Sequence, residues 1–187
     1  MWSFALLVSQ LACASAQPWG QLSGSVGAGL DGIGRGGSGT LTLALDLPVR
    51  GVTVAPTLSG FAAGHRTGGL FFDETIDATV QIDSSTAARG AELGVSARLG
   101  RGRVAAELHL GAGYASTTWS TTGVLVDAVL PGVVLRDSGL SSSVTAGGVA
   151  SAGPVDIVFA GLWRRIPVGG GGVHLLGPTL GVRWGPG

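Results

Sequence analysis

The stretch from Val173 to Trp184 constrains this chain more than any other. Its even positions read Leu176, Pro178, Leu180, Val182 and Trp184; its odd ones read Gly177, Thr179, Gly181 and Arg183. Side chains alternate across a strand, so this is a strand with one apolar face and one small or polar face. About a dozen residues suffice for a tilted strand to cross a bilayer core of roughly 30 Å.

Composition supports a membrane setting for such a strand. Charged residues make up 12% of the chain, about half the usual share for a soluble domain. Mean hydropathy is +0.46, yet beyond the N-terminus no apolar run reaches the roughly 18 residues of a transmembrane helix. Interleaved apolar and polar residues explain both facts, which is the pattern of a membrane β-barrel. The 187 residues suit one domain. Eleven basic residues, all Arg, balance 11 acidic ones, so there is no basic excess for nucleic acid.

Met1 to Ala16 reads as a secretory signal: Phe4-Ala5-Leu6-Leu7-Val8 starts an apolar core and Ala14-Ser15-Ala16 is a cleavage site. The mature chain is then 17–187. Cys13 leaves with the signal, which removes disulfide and thiol chemistry.

Eight alternating segments follow: Trp19–Leu30, Thr40–Leu47, Val52–Phe61, Arg89–Leu99, Arg103–Tyr114, Ser138–Ala150, Val155–Trp163 and the closing strand. Pro56 interrupts the third at an outward position and predicts a local bulge. Pro48–Gly51, Gly100–Gly102 and Ala152–Pro154 are short turns, and Gly100-Arg101 suits a type II′ hairpin. Ala62–Ala88 and Ala115–Arg136 are long connections. Ile76–Ile82 and Val124–Leu130 also alternate, so these connections are expected to be extended hairpins, with a ten-strand barrel as the alternative. Trp19, Tyr114, Trp163 and Trp184 fall near strand ends, as two aromatic girdles would.

A C-terminal strand of this kind resembles the closing strand of bacterial outer-membrane β-barrels, although Gly185-Pro186-Gly187 follow the aromatic Trp184. The resemblance implies an all-β fold: a closed, antiparallel, up-and-down transmembrane barrel of eight strands in the outer membrane. It also implies outer-membrane lipid and the barrel assembly machinery as partners, the latter through the C-terminal strand. A monomer met by an extracellular loop partner completes that expectation. Alternating strands also build soluble sandwiches, but there the aromatics go to the core.

The inward positions supply Asp46, Glu92, Arg98, Arg103, Glu107, His109, Asp156 and Arg183. A lumen this narrow is filled by side chains, so these read as a structural ion network. With the tight turn at Gly100-Arg101, Glu92 would face His109. No nucleophile arrangement, metal-ligand spacing or phosphate loop stands out, so neither cofactor nor metal is expected. The functional reading is a non-enzymatic scaffold displaying loops. A narrow pore for small solutes or ions is second, an enzyme acting on outer-membrane lipid third.

Overall fold

The computed structural model describes residues 16–29, 34–49, 51–74, 77–100, 103–125, 128–129 and 131–185. The signal-peptide reading therefore lies, apart from Ala16, outside the described residues.

The strands are β1 (Gln17–Gly29), β2 (Arg35–Val49), β3 (Val52–Asp73), β4 (Ala78–Leu99), β5 (Val104–Leu125), β6 (Ala128–Val129), β7 (Val133–Ala152), β8 (Val155–Val168) and β9 (Gly171–Trp184). Eight of them form a closed antiparallel ring: β9 pairs with β1, and β4 with β5, while the two-residue β6 adds only to the end of β5. The pairings run from Trp19 through Ala44, Thr57, Gly94, Gly111, Ser143, Arg164 and Leu175. They return to β1 at Gly29, ten residues along. That stagger tilts the strands about 40° from the barrel axis. The long connections are hairpins: β3, β4 and β5 have 22 residues each, about twice what a membrane-crossing strand needs.

Outward positions carry Leu22, Leu43, Leu58, Leu93, Leu110 and Leu180, all exposed. An apolar outer belt is stable only against lipid, because in water it would be an association surface. Tyr114 and Trp184 are exposed at opposite ends of this belt.

Three details depart from the sequence reading. Pro56 causes no bulge: Thr57 pairs with Ala44 and Val54 with Leu47, so the register is unbroken. Having no N–H to donate, Pro56 lets the ladder to β2 lapse for two residues while its β4 side stays paired with Val95. The β4–β5 turn is wider than a two-residue hairpin: Leu99 pairs with Ala106, so Glu92 lies opposite Gly113 and Ser96 opposite His109. The glycine-rich residues 35–39, left outside the second alternating segment, belong to β2, because backbone pairing holds residues that have no side-chain pattern to reveal them.

Closure of the ring depends on glycine. Gly27 and Gly177 approach across the β1–β9 seam, and a Cβ on either would run into the opposite backbone.

Candidate functional site

Among the described residues the enclosed space is the lumen, and its polar side chains form two storeys. The start of β1, the end of β9 and the turns at Gly51, Gly100 and Gly153 mark one end of the barrel; the long hairpins mark the other.

The lower storey lies at the turn end. Arg98 on β4 is ion-paired with Asp46 on β2, and its second nitrogen lies 4.0 Å from Asp156 of β8. The Trp19 indole N–H donates to Asp46 at 2.6 Å. Arg183 on β9 donates to both carboxylate oxygens of Glu107, at 2.6 and 2.7 Å, and to Gln21 at 2.9 Å. The Arg183 guanidinium also lies 3.9 Å from the centre of the Trp19 ring. Trp19 is thus a lumen residue and not part of the outer girdle. Its odd position on β1 shares the face of Gln21 and Ser23, and desolvating the ring against a cation while satisfying its N–H outweighs an interfacial placement. This storey opens to the turn end through a cavity of about 160 Å³ lined by Asp46, Arg98, Asp156 and Arg183.

Midway, His109 and Glu107 line a smaller cavity of about 40 Å³ with Thr42, Thr145 and Thr179. That is room for a few water molecules at most. Arg103 does not reach the lumen: it is exposed in the bend before β5, where the widened turn displaces it.

The upper storey is buried. Arg164 on β8 and Glu92 on β4 pair at 3.3 Å, with side chains only 2% and 1% exposed. Ser143 donates to Glu92 at 2.7 Å. Arg164 also donates to Ser38 and Thr40, and lies 4.1 Å from the centre of the Phe61 ring. Loopward of this pair comes an apolar layer that fills the bore: Phe61, Ala63, Ala88, Ala115, Ile166 and Leu175, with Ile166 fully buried. Above it His65 is buried on β3. His174 faces outward on β9 against Trp163, ring centres 5.6 Å apart.

Sequence reasoning brought together Asp46, Glu92, Arg98, Glu107, Asp156 and Arg183 on the inner wall but missed Arg164 and the apolar layer. The signal for Arg164 was present: it shares the parity of Asp156 and Val158 on β8, beyond where alternation was read to stop. Among the described residues no group of three His, Cys, Asp or Glu side chains comes together to hold a metal. Glu92, which accepts from Ser143, is paired with Arg164 and so belongs to the ion network of the lumen.

A closed eight-stranded ring, staggered by ten residues, apolar outside and polar within, is the architecture of the small outer-membrane β-barrels. No family model and no curated protein matches the chain in sequence. Among solved structures it is similar to Ail, the attachment invasion locus protein of Yersinia pestis, in complex with the heparin analogue sucrose octasulfate. The identity is 17%, over 90% of this chain and 97% of that one, with a TM-score of 0.43. It is also similar to Neisserial surface protein A, at 13% identity over 90% and 96% of the two chains, with a TM-score of 0.41.

Proposed function

We propose that this protein is an integral scaffold of the bacterial outer membrane, exported by the signal at Met1–Ala16, that holds extended hairpins outside the cell for interaction. One observation carries the reading: hairpins of 22-residue strands stand over a lumen closed by ion pairs and an apolar layer. Solute passage would need that layer to open, and catalysis would need a reachable reactive group in the bore. The reading therefore favours display over transport or chemistry, and it has the hairpins meeting the loop partner.

The test separates hairpin from barrel. Residues 67–84 are replaced by a two-residue Asn-Gly turn, which suits a hairpin of this kind. The shortened protein is expected to keep the heat-modifiable gel migration of a folded barrel, while intact cells lose the protease-accessible site between Phe72 and Ala78. A shortened chain that no longer folds, or cleavage in the full-length protein near Gly100 instead, would overturn the reading.

A further inference from the structure

Nine of the eleven arginines lie among the described residues, and they fall into sets. Arg98, Arg164 and Arg183 point into the lumen and Arg103 sits at the turn end. Arg35, Arg66, Arg89, Arg136 and Arg165 all face outward near the loop end, on β2, β3, β4, β7 and β8. Their height follows from the tilt. Arg89 is two residues loopward of Ala91, the partner of Tyr114, and Arg165 is two residues loopward of Trp163. The ladder row starting at Trp163 runs through Leu176, Ala28, Arg35 and Arg66. With strands about 4.8 Å apart and tilted about 40°, that row climbs roughly 3 Å per strand. Arg35 and Arg66 thus stand about 10 Å beyond the ring of Trp163. The outward arginines form a collar that begins at the edge of the apolar belt, where headgroups add about 5–8 Å to each side of a bilayer, with Arg35 and Arg66 at the outer margin of that layer.

Arg35 and Arg66 are direct cross-strand partners. Like charges so placed repel, and no described carboxylate forms an ion pair with either. Beside them, Ser85 and Ser120 continue the same row, joined by a 2.7 Å hydroxyl–hydroxyl bond. Arg35, Arg66, Ser85 and Ser120 line a shared outward groove of about 460 Å³ and, loopward of it, a wider one of about 620 Å³ that the Asp83 carboxylate also borders. Two guanidinium groups with adjacent hydroxyls match a phosphate, which accepts several charge-assisted hydrogen bonds and cancels the repulsion.

We propose that the Arg35–Arg66 groove binds the phosphate of an outer-leaflet glycolipid headgroup, with Arg89 holding a neighbouring headgroup on the collar. The occupant is a lipid rather than a soluble anion because the groove is continuous with the lipid-facing belt, which seats the acyl chains of the same molecule. This rests on the barrel lying in a membrane.

Native mass spectrometry of the folded full-length protein, released from phosphatidylcholine vesicles containing a diphosphorylated glucosamine lipid, tests it. Gel mobility of the same samples reports barrel insertion separately, so failure to enter a membrane is distinguishable from failure to bind. Wild type is expected to retain the phosphorylated lipid, and not its dephosphorylated form. Arg35→Gln/Arg66→Gln is expected to weaken retention about tenfold or more, the loss of at least one charge-assisted contact, with Arg103→Gln unchanged. Should the double variant not fold, the wild-type preference for the phosphorylated over the dephosphorylated lipid still decides the matter. Equal retention of both lipids, equal retention by the double variant, or displacement of the lipid by soluble tripolyphosphate would overturn the proposal.

Discussion

The two ion-pair storeys use the same chemistry in different surroundings. Arg98 and Asp46 are 23% and 15% exposed beside a cavity that opens at the turn end. Arg164 and Glu92 are 2% and 1% exposed beneath an apolar lid. Water shares the load in the first case, so either partner can lose the other and be resolvated. In the second, a lost partner leaves a charge with nowhere to go. The lower storey closes the bore with side chains that tolerate change; the upper one makes the closure cooperative, because Arg164 touches β2, β3 and β4 at once through Thr40, Phe61 and Glu92.

The largest expected effect breaks the upper pair. Arg164→Ala or Glu92→Ala should each destabilise the barrel by about 3–5 kcal/mol, read from urea unfolding in lipid vesicles. Removing both together should cost less than the sum of the singles. Additive losses would mean that the pair is not coupled and that the contrast between storeys is wrong.

A second comparison sets outer wall against inner. Leu43→Arg and Leu108→Arg face lipid near mid-belt and should cost roughly 2–4 kcal/mol each. Thr42 sits one residue away from Leu43 but faces in, bonded to Ser59 at 2.9 Å. Thr42→Arg should act through crowding of the lumen, so its cost should not depend on bilayer thickness while that of Leu43→Arg should. Matching thickness dependence in the two would show that their faces are misassigned.

The lower pair should yield much less. Arg98→Ala is expected to cost roughly 1 kcal/mol or below, since partly exposed pairs contribute little. Arg103→Ala, exposed at the turn end, should fall within about 0.5 kcal/mol. An Arg98→Ala loss as large as that of Arg164→Ala would erase the distinction drawn between the storeys.

Much of this was legible in the residues. Period-two alternation revealed all eight ring strands, because lipid outside and polar lumen inside impose opposite demands on successive residues. Strand ends were not, since above the belt both faces meet water and β3 continues through Gly64, Gly68 and Gly69 with nothing to alternate. The inner charges could be read by parity, but their partners could not. Pairing Arg183 with Glu107 and Arg164 with Glu92 depends on the ten-residue stagger, which no single strand displays. Trp19 shows the remaining gap: a residue at a strand end can serve the girdle or the lumen, and only the presence of Asp46 and Arg183 beside it decides.

The central claim is that the bore is shut, and a conductance measurement on purified protein in planar bilayers addresses it directly. Wild type should show little or no steady current, and so should Arg98→Ala, because the apolar layer of Phe61, Ile166 and Leu175 still closes the loop end. Ile166→Gly/Leu175→Gly combined with Glu92→Ala, which opens the layer and frees Arg164, should give an anion-preferring current. Large, stable channels from the unaltered protein would contradict the closed lumen and make this barrel a pore.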